Sequence, residues 1–204
     1  MEKKNKILLT LFIVIILLLL IFYKENDPFI KYSNKAVDAT VLVKLDTEVG
    51  TISQGTGFIV NKKGYILTAY HIFEEPLKMI ENNIHTSIDL NKLILEYGYI
   101  EIKTQNEGFK KFKIKRIPND SLELKDILLL KINEPFNLSL NNIDIAKKED
   151  VSSIGMEVGF SGYTPLPNTN TTLFLSKGLI SNKELYLEKQ KEAWYTINAF
   201  STYG

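Results

Sequence analysis

Hydrophobic positions along this chain fall into two textures. From Ile7 to Tyr23 they run without a charge, Thr10 and Tyr23 being the only polar interruptions. At 1.5 Å per residue this run makes a helix of about 25 Å, close to the thickness of a bilayer core. From Ala39 onward, short apolar runs alternate with turn residues. Thr40-Val41-Leu42-Val43-Lys44-Leu45 predicts a strand and Gly50 a turn. Gly57-Phe58-Ile59-Val60 and Tyr65-Ile66-Leu67-Thr68 flank Asn61-Lys62-Lys63-Gly64, which is a hairpin signature. Tyr99-Ile100-Glu101-Ile102 and Phe112-Lys113-Ile114-Lys115 alternate with the period of half-buried strands. Ile127-Leu128-Leu129-Leu130 is a continuous apolar run that reads as a buried strand; Val158-Gly159-Phe160, 173–180 and 193–197 complete the strand set. Only Pro76 to Asn83 and Asn91 to Glu96 read as helical. Short strands at such spacing predict an all-β antiparallel barrel or sandwich rather than alternating β/α units. The stretch from His71 to Tyr97 exceeds what a hairpin needs and reads as a surface insertion.

The N-terminal run is expected to be an uncleaved signal anchor. Lys3, Lys4 and Lys6 precede it, and Phe22-Tyr23-Lys24-Glu25-Asn26-Asp27 lacks the small residues of a cleavage site. Lysines on the N-terminal flank leave the tail in the cytoplasm and the domain on the extracytoplasmic side of the cell membrane. The organisation is therefore 1–23 tail and transmembrane helix, 24–36 polar linker, and 37–204 globular domain.

Composition narrows the function classes. The 204 residues carry a formal net charge of +1, which offers no long-range attraction to nucleic acid. With no cysteine, disulfides, thiolate metal sites, a cysteine nucleophile and a lipoprotein anchor are all excluded, and with two histidines no His-rich metal cluster is expected. Neither a metal nor an organic cofactor is expected. Lysine pairs such as Lys62-Lys63, Lys110-Lys111 and Lys147-Lys148 read as solvated faces.

Candidate chemistry centres on His71, at the end of a predicted strand, and Asp126, at the mouth of another. A hydroxyl nucleophile needs a base, and the base needs an acceptor that sets its tautomer and stabilises the imidazolium. Asp126 is placed to reach the Nδ1–H of His71. His85 falls in the insertion and reads as a surface residue.

Gly55-Thr56-Gly57-Phe58 followed by Gly64-Tyr65-Ile66-Leu67-Thr68-Ala69-Tyr70-His71 resembles the hairpin and histidine segment of bacterial trypsin-like serine proteases of the Deg/Htr type. Asp126-Ile127-Leu128-Leu129-Leu130-Lys131 is similar to that family's aspartate segment. Val158-Gly159-Phe160-Ser161-Gly162-Tyr163 and Ser176-Lys177-Gly178-Leu179-Ile180-Ser181 resemble strands of its second barrel, and Thr196-Ile197-Asn198-Ala199 its approach to the Gly-x-Ser-Gly-Gly nucleophile motif. The resemblance implies a trypsin-like double β-barrel whose second barrel is incomplete, with His71 as general base and Asp126 as its orienter. It implies Gly204 as an oxyanion-hole residue and a nucleophilic serine two residues beyond it, so that these 204 residues are expected to be inactive by themselves. It also implies polypeptide substrates and allows a homo-oligomer. Ser201 lies on the wrong side of Gly204 for the nucleophile, and Ser53, Ser161, Ser176 and Ser181 read as strand or turn residues. Two other readings stay open: a non-catalytic relative serving as a binding or sensor module, and an unrelated extracytoplasmic β-domain.

Overall fold

The computed structural model describes residues 10–19, 28–48, 50–85, 87–104, 108–135, 141–145, 153–164, 172–187 and 192–199. Two compact units divide the chain, Met1–Asn34 and Lys35–Gly204. In the first, residues 10–19 are helical (α1), and all nine apolar side chains from Leu11 to Leu19 are exposed. Among the described residues no helix is long and apolar enough to cross a membrane. The remainder of the Ile7 to Tyr23 run lies outside the described residues. Much of the polar linker is helical: α2 spans Pro28–Ala39, its proline standing at the first helical position, where a missing N–H breaks no bond.

In the second unit six strands close a barrel. They are β1 (Thr40–Thr47), β2 (Gly50–Ile59), β3 (Tyr65–Ala69), β4 (Gly98–Thr104), β5 (Gly108–Arg116) and β6 (Ile127–Ile132). The order around the barrel is β1-β2-β3-β6-β5-β4, with every neighbouring pair antiparallel. Alternation directs Leu128, Leu130 and Ile132 of β6 inward beside Val41, Val43, Leu45, Ile66, Ile100 and Ile114. Ile127 and Leu129, read from the sequence as part of a fully buried run, are only half buried. The predicted hairpin is present. Asn61 Oδ1 accepts from the N–H groups of Lys63 (2.9 Å) and Tyr65 (3.3 Å), and Gly64 takes the positive φ of 76° that closes the turn.

The stretch after β3 corrects two expectations. It forms α3 (His71–Ile84) and α4 (Leu90–Tyr97), and these are part of the core rather than a surface insertion. Phe73, Leu93 and Ile94 are fully or almost fully buried in the same cluster as the barrel interior. α3 also begins five residues before the predicted Pro76. Proline is favoured at a helix start, which made Pro76 look like one; here it sits inside the helix and leaves the Ile72 carbonyl without its usual donor. A four-residue helix, α5 (Asp120–Glu123), precedes β6, with Asn119 as N-cap accepting from Leu122 N–H at 3.2 Å.

Beyond the barrel, β7 (Glu157–Thr164), β8 (Thr172–Leu187) and β9 (Glu192–Ala199) form an antiparallel three-stranded sheet, where a second, incomplete barrel was expected. Thr56 Oγ1 accepts from Tyr163 N–H at 2.7 Å, and Thr40 Oγ1 lies 2.7 Å from Ser161 Oγ, joining the sheet to β2 and β1. Lys111 is exposed, as expected of a solvated face, and also lies over the Tyr99 ring, near Asp46 and Glu101.

Tyr163 is buried, and its hydroxyl has no hydrogen-bond partner among the described residues. Burial first, then the Glu101 carboxylate, raises its phenol above the ordinary value. Because the folded pKa is raised, this group's contribution is present below the unfolded value of about 10 and is lost as pH rises beyond it. Tyr163→Phe removes an unsatisfied buried hydroxyl and is expected to stabilise the fold by about 1 kcal/mol near neutral pH. It should also flatten the alkaline decline in stability. Urea unfolding at pH 7 and 10.5 checks both.

Candidate active site

Two backbone features bring His71 and Asp126 together. β3 and β6 pair antiparallel with Ala69 opposite Ile127, so the residues after one strand meet the residue before the other. Tyr70 N–H then donates to the Asp126 carbonyl at 3.1 Å. Tyr70 has α-helical dihedrals, so the chain turns at once into α3, and His71 is its first residue rather than a strand end. Asp126 has φ 59°, in the left-handed region that Asp tolerates better than most side chains.

Both carboxylate oxygens of Asp126 serve His71. Oδ1 accepts from the His71 backbone N–H at 2.8 Å, and Oδ2 lies 2.7 Å from ring Nδ1. An ionised carboxylate only accepts, which places the ring proton on Nδ1 and leaves the Nε2 lone pair free. That tautomer can take a proton from a hydroxyl. The two side chains are 52% and 53% exposed, so the pair is open to an incoming reactant.

A family model described as Trypsin matches residues 35–192, well over half of the chain. The chain belongs to the trypsin family. Among solved structures, the trypsin-family fold seen here is similar to Deg5, with 16% identity and a TM-score of 0.55 over 85% of this chain and 73% of that one. It is also similar to the apo MamO protease domain from Magnetospirillum magneticum, at 18% identity and a TM-score of 0.48, covering 75% of this chain and 65% of that one. No curated protein matches the chain by sequence.

Around the pair, this trypsin-family chain has a groove of about 650 Å³ also lined by Tyr70, Glu74, Asp120, Glu123 and Leu124. Sequence reading missed these five; the Asn119 capping signal was the one cue to α5, and a four-residue helix leaves no periodicity to detect. Leu124 is 90% exposed at the groove edge. Glu74 pairs with Lys78 at 2.8 Å along α3. Burial, and then the carboxylates of Glu74 and Glu123, raise the Tyr70 phenol above its ordinary value. Glu123 is held by Arg116, whose Nε and Nη2 donate to its two oxygens at 2.8 and 2.5 Å while Nη1 donates to Asn91 Oδ1 at 3.0 Å.

The other sequence candidates fall elsewhere. His85 is an exposed helix C-cap with φ 51°. Ser53 stands in β2, Ser161 in β7 against Thr40, and Ser176 and Ser181 in β8. Gly204 and Ser201 lie outside the described residues. Among those residues no group of His, Asp and Glu is arranged to hold a metal ion.

Proposed function

We propose that this chain is the membrane-anchored peptidase domain of a trypsin-like serine endopeptidase that hydrolyses polypeptides through an acyl-enzyme, on the extracytoplasmic side of the cell membrane. The observation that carries this reading is the 2.7 Å contact between His71 Nδ1 and Asp126 Oδ2 at the rim of a trypsin-family barrel. His71 Nε2 takes the proton of the attacking serine and returns it to the leaving amine. Asp126 holds the ring in that tautomer and stabilises the imidazolium formed in the transition state. The serine is assigned to the Gly-x-Ser-Gly-Gly motif that Gly204 would open, and Gly204 N–H to the oxyanion hole. Assignment of α1 to a membrane anchor is supported by its nine consecutive exposed apolar side chains, a surface that water does not favour.

The test uses the natural gene product in isolated membranes. Labelling by a fluorophosphonate probe, retained after alkaline carbonate extraction and abolished in His71→Ala, is the expected result. An unlabelled protein would overturn the peptidase reading and favour a non-catalytic binding module. Labelled protein released by carbonate would overturn the anchor alone.

A further inference from the structure

We infer that Gly55 is a positioning residue for His71, acting through the side chain of Ile72; the catalytic part of this inference rests on the reading of His71 as general base. The β2–β3 ladder ends at Gly57 opposite Thr68. Two residues further along β2, Gly55 is level with Tyr70, past the end of β3, where α3 begins. A β-carbon built at Gly55 would lie 2.8 Å from Ile72 Cγ1 and nearer still to its Cδ1. Glycine is not required there by backbone geometry, because Gly55 does not have a positive φ. What the missing side chain supplies is the space into which Ile72 packs.

Ile72 is the residue after His71, and it is 7% exposed. It has little freedom to yield. Rotation about χ2 withdraws Cδ1 but not Cγ1, so relief at Cγ1 takes either a new χ1 rotamer in a closely packed side chain or movement of the backbone that carries it. Phe73, fully buried in the barrel core, resists any slide of the helix inward. A methyl group at position 55 is therefore relieved by displacing the first turn of α3, and that turn holds both groups that meet Asp126, the His71 N–H and the ring. Tyr70, the N-cap, makes no side-chain capping bond that would hold the helix start independently. The seat of Ile72 on Gly55 thus fixes the end of α3 from the barrel side, while Asp126 fixes it from the β6 side.

Three variants of the full-length protein test this: Gly55→Ala, Gly55→Ala/Ile72→Ala, and Gly57→Ala. The last is a control, because a β-carbon at Gly57 meets Val43 Cγ2 (2.8 Å) and Ile66 Cγ2 (2.9 Å) inside the barrel, not α3. The first readout needs no nucleophile: the downfield proton resonance of the His71 Nδ1–H bonded to Asp126. Gly55→Ala is expected to lose it, the double variant to regain it, and Gly57→Ala to keep it while lowering the melting temperature. The second readout is peptide hydrolysis per titrated site, where Gly55→Ala is expected to lower kcat about 100-fold with little change in KM, as a misplacement of about 1 Å does, and the double variant to recover at least tenfold of this. A folded Gly55→Ala protein that keeps the resonance overturns the inference. If Gly55→Ala does not fold, the double variant decides: folded and with the resonance it supports the seat, and unfolded or without the resonance it overturns it, because truncating the side chain that the methyl group meets then gives no relief. Absence of hydrolysis by the unsubstituted protein overturns the peptidase reading, and the resonance then judges the Gly55–Ile72 seat by itself.

Discussion

Under the proposed peptidase function, Asp126→Asn is expected to lower kcat/KM of the natural gene product about 10,000-fold, equivalent to about 5.4 kcal/mol of transition-state stabilisation, with the fold intact. The backbone survives because asparagine tolerates the left-handed conformation that Asp126 adopts at φ 59°. The chemistry does not survive. The His71 N–H still has an amide oxygen to donate to, as it now donates to Oδ1 at 2.8 Å. That orientation points the amide NH2 at ring Nδ1, where Oδ2 now stands at 2.7 Å. A donor facing Nδ1 drives the ring proton to Nε2, and a protonated Nε2 cannot accept from the serine. Asp126→Ala would be less informative, since it removes the carboxylate and strains the backbone together. Steady-state hydrolysis of a peptide ester, with melting curves to establish folding, measures the effect. A loss below tenfold would rule out Asp126 as the orienter.

Arg116→Ala is expected to destabilise the domain by about 3–5 kcal/mol, the consequence of leaving the Glu123 carboxylate buried without its partner. The two side chains are only 14% and 10% exposed, so solvent replaces little of the lost interaction. The guanidinium joins three elements, reaching from the end of β5 to Glu123 of α5 and Asn91 of α4. Lysine keeps the charge and loses the fork, so Arg116→Lys should fall between the wild type and Arg116→Ala. Arg116→Met with Glu123→Leu should be close to neutral, because removing both charges removes the desolvation penalty along with the attraction. Urea unfolding of the three variants provides the comparison. The Glu123 carbonyl also accepts from Asp126 N–H at 3.0 Å, so Arg116→Ala is expected to loosen the approach to Asp126 as well.

How much was legible follows from the range of each signal. The β2–β3 hairpin could be read because its determinants are four adjacent residues, Asn61 accepting locally and Gly64 supplying positive φ. β4 and β5 could be read from alternation over four residues each, Tyr99 to Ile102 and Phe112 to Lys115, and β6 from the continuous apolar run Ile127 to Leu130. The start of α3 could not, because the strongest local signal, Pro76, lies inside the helix, while the actual start is set by Tyr70 bonding to a carbonyl 56 residues away in sequence. α4 and the buried face of α3 were taken for surface because Phe73 and Ile94 acquire a core only when six strands close into a barrel. Lys111 is solvated as read, but its place over the Tyr99 ring could not be read, because Tyr99 and Glu101 meet it only in the β4–β5 register.

By itself the sequence determined an all-β domain behind an apolar N-terminal run, the hairpin that leads to His71, and the identity of Asp126 as the carboxylate to pair with it. The first two depend on side-chain period or turn chemistry within a few residues; the third rests on the resemblance of the Asp126 segment to the family's aspartate segment. Only the tertiary structure decided that both Asp126 oxygens serve one histidine, that His71 opens a helix, that Arg116 holds Glu123 at the groove, and that Gly55 makes room for Ile72. These are contacts between residues 17 to 55 positions apart or set by a clamp across three elements. Strand register decides them, since a shift of one residue turns every side chain to the opposite face.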